Sequence, residues 1–254
     1  MTNSIGLPAG GQIPLLGFGT WQLPGPEAYD PVRIALDVGY RHLDTATMYR
    51  NEADIGRALR DSGVPRSEVF LTTKLPPDRV SDARATLEQS LSALGVDAVD
   101  LWLLHWPPSD SVAAWESMLA LRDEGLATEV GVSNFDPSQV DELVAATGQA
   151  PAVNQIKWSP ARFDRARLEH SRAAGVVLEG YSPFRSGTLE DPVLAEIASR
   201  HRRTPAQVVL RWHLEHGVVV IPKSARRERI EANFDIVGFE LDPDEVARID
   251  ALGS

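Results

Sequence analysis

The chain has 254 residues, of which 43% are hydrophobic and 24% charged, with ordinary glycine and proline contents; this excludes disordered and collagen-like classes and suits one large α/β unit. A formal net charge of −11 argues against nucleic acid or an acidic membrane surface as the main partner, since both select a basic field. The absence of cysteine excludes disulfides, thiolate catalysis and Cys-ligated metal sites.

The segment from Met1 to Gln12 carries neither a basic stretch nor an apolar run, so no signal peptide is expected. No apolar run approaches the ~18 residues of a membrane helix, and we expect a soluble cytoplasmic protein. Ile5-Gly-Leu7 and Gln12-Ile13, separated by Pro8-Ala-Gly-Gly11, predict a small hairpin. Eight apolar or β-branched runs follow: Leu15 to Phe18, His42 to Asp44, Val69 to Thr73, Val99 to Leu104, Glu129 to Val132, Ala152 to Ile156, Val176 to Tyr181 and Val218 to Ile221. Helical patterns lie between them. Ala83 to Leu94 has apolar residues at helical spacing, with Ser81 or Asp82 as N-cap and Gly95 as stop. Asp136-Pro137 opens another helix, Leu194 to Ser199 and Ala206 to Glu215 precede the last strand, and a further helix starts at Asp242.

Most strand-to-strand spacings are ~25–30 residues, the length of a βαβ unit. Strict alternation predicts a (β/α)8 TIM barrel with a short N-terminal β-hairpin and extra C-terminal helices. The alternative, an open doubly wound sheet, would want a Gly-rich strand-to-helix turn. Gly17-Phe-Gly19 begins like one, but Gln22 stands at the third glycine position and Pro24 follows. With no linker or low-complexity tract, residues 1–254 read as a single domain.

In such a barrel, function sits at the C-terminal ends of the strands. In chain order these ends offer Asp44, followed by Tyr49, then Lys74, His105, Ser133-Asn134, Gln155, Tyr181-Ser182 and Lys223-Ser224. Lys74, Lys157 and Lys223 are the only lysines beside 22 arginines, and Lys offers a compact, shiftable charge that Arg does not. A buried Lys74 needs the counter-charge of Asp44. Its ammonium favours phenolate at Tyr49, lowering that pKa from ~10 towards a usable acid or base. A neutral His105 donates a hydrogen bond to a carbonyl oxygen. Together the four would protonate an oxygen that gains negative charge as a carbonyl accepts hydride. Singly, each has an ordinary structural reading; the joint placement on three consecutive strand ends supports the chemical one. The six histidines show no HxH or HxxxH spacing, and no metal site is expected.

These motifs resemble the aldo-keto reductases, in particular their bacterial, short-loop, diketogulonate-reductase-like members. The likeness covers nearly the whole chain. Asp44-Thr-Ala-Thr-Met-Tyr49-Arg-Asn-Glu52, Leu104-His105-Trp106-Pro107, Gly131-Val-Ser-Asn-Phe135, Asn154-Gln155, Tyr181-Ser-Pro-Phe184 and Ile221-Pro-Lys-Ser224 carry it in order. The resemblance implies NADPH-dependent reduction of aldehydes, ketones and dicarbonyls. In it Tyr49 is the proton donor, Lys74 lowers its pKa, Asp44 pairs with Lys74, and His105 orients the carbonyl. It further implies that Ser133, Asn134 and Gln155 hold the nicotinamide carboxamide of NADPH/NADP+ and that Tyr181 stacks on the ring. Gly19, Thr20, Trp21 and Asp44 would line the cofactor, with Ser182, Pro183, Phe184 and Ser186 along its pyrophosphate. Trp21 and Trp106 would flank the substrate carbonyl beside Tyr49 and His105. Trp102, Trp115 and Trp212 read as core, and Trp158 as either.

The segment Lys223-Ser224-Ala-Arg226-Arg227-Glu-Arg229 gathers basic residues at a predicted helix start. It reads as an anion site or as a solvated basic face; the resemblance makes Lys223, Ser224, Arg226, Arg229 and Asn233 contacts to the adenosine end and its 2′-phosphate. Ala232 stands where the family usually carries Glu beside the adenine. Lys157 stands where relatives carry an acid, and a structural ion pair outside the pocket is expected for it. The short segment after His105 and the end at Ser254 predict an open site with broad recognition of small carbonyl compounds, and we expect a monomer. Two other readings use the same residues: a Schiff-base aldolase on Lys74 or Lys223, and an NADPH-binding accessory barrel without turnover.

Overall fold

The computed structural model describes residues 4–184 and 188–253. Strands β1 (Ser4–Gly6) and β2 (Gln12–Pro14) form the expected antiparallel hairpin, with Ile5 opposite Ile13. Leu7, the fully buried Ile13 and Leu15 pack against Phe70, Leu101, Leu103, Val153 and Val219, so the hairpin plugs the N-terminal end of the barrel.

Eight parallel strands follow in chain order: β3 (Phe18–Gly19), β4 (His42–Asp44), β5 (Phe70–Leu75), β6 (Val99–Leu104), β7 (Ala127–Ser133), β8 (Val153–Lys157), β9 (Val177–Tyr181) and β10 (Val219–Val220). Each pairs with its chain neighbours. The first and last join through Val220 N–H to Leu15 O at 2.8 Å, Gly17 N–H to Val220 O at 2.9 Å and Gly19 N–H to Pro222 O at 3.1 Å. That ring removes both sheet edges. The predicted first strand, Leu15 to Phe18, is mostly such closure contacts rather than regular ladder. The expected ends of the third and sixth strands move two and one residues on, bringing Lys74 and Lys157 inside β5 and β8.

Helices α1 (Tyr29–Val38), α2 (Glu52–Ser62), α3 (Ala83–Leu94), α4 (Ser111–Asp123), α5 (Pro137–Thr147) and α6 (Arg165–Ala173) fill the crossovers from β3 to β9. Two helices, α7 (Pro192–His201) and α8 (Pro205–Glu215), precede β10, and α9 (Arg227–Phe234) and α10 (Pro243–Asp250) follow it. Helix α5 starts with Pro137, and Gln139 accepts from the Asp136 N–H at 2.9 Å. Neither Ser81 nor Asp82 caps α3 by its side chain, because a 3-10 turn over Pro77–Asp82 runs straight into that helix; Gly95 ends it at φ 70°. Trp102, Trp115, Trp158 and Trp212 are all core. Among the described residues no helix is long and apolar enough to cross a membrane.

Helices α2 and α3 meet at Gly56. A Cβ there would lie 2.3 Å from the Leu94 carbonyl oxygen and 2.6 Å from its carbon, and backbone cannot yield as a side chain does. Gly56→Ala should therefore destabilise the fold by about 1–3 kcal/mol as overpacking does, read as a lower urea midpoint. An unchanged midpoint would show that the two helices separate at no cost.

Candidate active site

The site is built on a charged pair inside the barrel. Lys74 is fully buried, and its Nζ donates to Asp44 Oδ1 and Oδ2 and to the Thr45 carbonyl, each at 2.7 Å. The ammonium also lies within hydrogen-bonding reach of the Tyr49 side chain, an interaction that lowers the Tyr49 pKa. Burial alone would depress the Lys74 pKa, but Asp44 and Tyr49 carry it above its ordinary value, so the group is a fixed cation. A Schiff base there would have to break every one of these contacts, which disfavours the aldolase alternative.

Gln155 holds the other side of Asp44: its Nε2 donates to Asp44 Oδ2 at 2.7 Å and to Glu179 Oε2 at 3.1 Å. With both N–H groups committed, only its carbonyl oxygen remains as a hydrogen-bonding group. Below lies His42, with Nε2 at 3.2 Å from Thr72 Oγ1 and 3.6 Å from Glu179 Oε1. Burial, with the nearby Asp44 charge, raises the Glu179 pKa well above the carboxylate range. Sequence reasoning missed Glu179 and His42. The available signal was a charged residue within the otherwise apolar run Val176 to Tyr181, spaced two from Tyr181 and so on the same face.

Tyr49 ends a 3-10 turn, Thr47–Tyr49, and the left-handed Arg50 (φ 56°) then redirects the chain into α2. Thr47 Oγ1 donates to the Lys74 carbonyl at 2.9 Å, and Asn51 accepts from Thr45 while donating to the Thr20 and Leu23 carbonyls. The turn is thus tied to β5 and to the loop after β3. The Tyr49 ring lies edge-on to His105 at 5.8 Å between centroids, and Lys74 Nζ is 5.2 Å from the Tyr49 centroid. Sequence predicts a lowered Tyr49 pKa; the structure puts it above its ordinary value, because burial outweighs the lowering by Lys74. His105 is driven down to about 3, by burial first and by Lys74 second, and is neutral.

Asp44, Tyr49, His105 and Gln155 line a cavity of about 540 Å³, a size typical of small-molecule sites. Its wall includes Gly19, Trp21, Asp44, Tyr49, His105 and Trp106, and further along Ser133, Asn134, Gln155, Tyr181, Ser182, Pro183, Phe184 and Lys223. Trp21 and Trp106 remain 43% and 47% exposed at its rim. Tyr181 Oη donates to Asn134 Oδ1 at 2.8 Å, and Asn134 Nδ2 donates to Ser133 Oγ at 3.0 Å and the His105 carbonyl at 3.2 Å. Of the five non-glycine residues with positive φ among those described, Gln22, Asn134 and Ser182 line the cavity and Arg50 follows Tyr49; left-handed backbone of this kind concentrates at functional sites.

Other expected site residues lie off the cavity wall. Thr20 is buried, with its hydroxyl on the Asp44 carbonyl at 2.9 Å. Ser224 accepts from the Arg226 N–H at 3.1 Å just before α9. Arg226 and Arg229 are exposed at the start of that helix and Asn233 is buried on it. Ser186 lies outside the described residues. Lys157 is a correction: it lines the cavity rather than standing outside it, and makes no ion pair among the described residues, because β8 runs to that position. Gln22, Met48 and Ile221 complete the wall without having been foreseen.

With this geometry in hand, likeness to known proteins decides the family. The model of the aldo/keto reductase family matches residues 15–254. The chain belongs to the aldo-keto reductase family. It is 43% identical to an aldo-keto reductase of Mycolicibacterium smegmatis, over 99% of this chain and 94% of that one. It is 40% identical to methylglyoxal reductase DkgA of Escherichia coli, over 98% of this chain and 92% of that protein. The crystal structure of an aldo/keto reductase from Brucella melitensis superposes with a TM-score of 0.92 at 39% identity, covering 99% of this chain and all of the other. Carbonyl reduction by an oxidoreductase on an α/β barrel follows from that membership.

Because His105 titrates near 3, the pH profile of kcat/KM should show no inflection near the ordinary histidine value of ~6.5 that His105→Gln abolishes. An inflection there that disappears in the variant would mean the imidazole is charged in the working enzyme.

Proposed function

We propose that the chain is an NADPH-dependent reductase of small aldehydes, ketones and dicarbonyls, with Tyr49 as proton donor. The observation that carries this reading is the meeting of Tyr49 and His105 on the cavity wall, with ring centroids 5.8 Å apart and the buried Lys74 ammonium 5.2 Å from the phenol ring.

The cavity wall suits the cofactor chemically. Gln155 offers a carbonyl oxygen, and Ser133 and Asn134 offer polar groups, to a carboxamide; the Tyr181 ring offers a flat face to a heterocycle. Lys223, Ser224, Arg226 and Arg229 gather at the start of α9, and neither Arg226 nor Arg229 makes an ion pair among the described residues. Uncompensated guanidinium groups at a helix N-terminus suit a phosphate, which supports NADPH over NADH. Bound there, NADPH supplies the hydride. The residues of the chain handle the oxygen.

A neutral His105 donates a hydrogen bond to the substrate carbonyl and fixes its orientation without adding a charge. As negative charge grows on that oxygen, Tyr49 releases its proton to it. Burial keeps Tyr49 protonated at neutral pH, so it enters reduction in the donor form. The phenolate left behind is stabilised by Lys74, whose own charge Asp44 maintains. Trp21 and Trp106 give the substrate apolar contact at the rim.

Tyr49→Phe should lower NADPH oxidation with a panel of aldehydes and dicarbonyls by about 10²–10⁴-fold, the usual worth of a positioned acid, while NADPH binding read by fluorescence persists. Full turnover in the variant would remove Tyr49 as donor; NADPH binding with no turnover in the parent would favour the accessory-barrel reading. Arg229→Ala should raise the Kd for NADPH far more than for NADH. Equal changes would show that Arg229 does not meet a 2′-phosphate.

A further inference from the structure

Lys157 has no part in the chemistry described so far. It is the last residue of β8, in register with Tyr181 on β9, and it lines the cavity. Strand alternation places it on the same face as Gln155, two residues back, whose amide meets Asp44 and Glu179 inside the barrel. Among the described residues its ammonium has neither an ion pair nor a side-chain hydrogen bond.

The charge balance of the wall gives this meaning. Among the described residues Asp44 is the one carboxylate of the wall, and Lys74 already neutralises it. The other charged residues of the wall among those described are Lys157 and Lys223. The described part of the wall is therefore positive in a chain of net charge −11. Lys223 lies beyond β10, next to the anion-suited start of α9. Lys157 is two strands from β6, which His105 follows, a lateral distance of roughly 10 Å at the usual strand spacing. Lys157 is half-buried, and an unpaired cation on an aromatic and amide-lined wall recognises an anion more strongly than a fully exposed surface lysine does.

Resting on the reductase reading, we infer that Lys157 binds the carboxylate of the carbonyl substrate, an aldehyde or ketone whose acid group is set off from the reacting carbonyl by a short carbon spacer. The lateral offset from His105 separates this class from acids whose carboxylate adjoins the carbonyl. Neutral carbonyl compounds remain substrates, held by the aromatic rim alone, but turn over less efficiently.

The test compares 4-carboxybenzaldehyde with its methyl ester, in the parent, Lys157→Met and Lys157→Arg. The parent should prefer the acid. Lys157→Met should lose at least about tenfold more kcat/KM on the acid than on the ester, mainly through KM, an amount equal to ~1.4 kcal/mol. Lys157→Arg should recover part of the loss, and the Kd for NADPH should hold throughout. Equal losses on both substrates would overturn the inference, as would a loss traced to weaker NADPH binding, which would put Lys157 on the cofactor's phosphates. Calorimetric binding of 4-carboxybenzaldehyde separates this inference from the reading beneath it. Parent-like affinity in Lys157→Met overturns the carboxylate contact whether or not turnover occurs. Weakened affinity in the variant, with no NADPH-linked turnover in the parent, would uphold the contact and overturn the reductase reading.

Discussion

Everything at the mouth of this barrel depends on one ammonium ion that water does not reach. A lysine fully buried inside a sheet is tenable only with a compensating charge and satisfied protons. Asp44 supplies the charge, and the ammonium donates to Asp44 and to Thr45. Removing one partner of such a pair leaves the other charge uncompensated, at a cost of ~3–5 kcal/mol. The surrounding hydrogen bonds serve the same pair: Thr20 fixes the Asp44 backbone, Gln155 its carboxylate, and Thr47 the strand that carries Lys74. Placement of Tyr49 and presentation of the Gln155 oxygen both follow from that arrangement.

Charge pairing outweighs desolvation at Lys74, whereas desolvation outweighs it at Tyr49, His105 and Glu179. Tyr49 lies beside a cation and still holds its proton more tightly than a phenol in water. His105 is too deeply placed to protonate at neutral pH. On the proposed reading these states suit reduction. The acid is charged with its proton before the substrate arrives, and the imidazole orients the carbonyl without competing for that proton. Glu179, raised by burial and lying beneath Gln155, adds no second negative charge beside Asp44 while it stays protonated.

Much of this was legible in the residues. The alternation of runs predicted the barrel, and reading off strand ends placed Asp44, Tyr49, Lys74 and His105 together, because parallel strands of one ring share one mouth. The sign of the Tyr49 shift was not legible: sequence reveals that a lysine is near but not how much water is excluded. Glu179 and His42 escaped because a single polar residue in an apolar run has no partner in sequence; its partners come from other strands. Lys157 was misplaced for want of strand parity, since Gln155 and Lys157 share a face once β8 extends to both. The N-cap of α3 failed because a 3-10 turn leads into that helix and leaves no free cap.

The central claim is that Tyr49 donates the proton and that Lys74 sets how readily. The most direct measurement is the alkaline limb of kcat/KM for carbonyl reduction in the parent and in Lys74→Met. Activity in the parent should fall as pH rises through the Tyr49 pKa. Loss of the ammonium should weaken turnover and move that limb to higher pH, because phenolate is no longer stabilised. A limb that stays in place, or moves lower, would contradict the account.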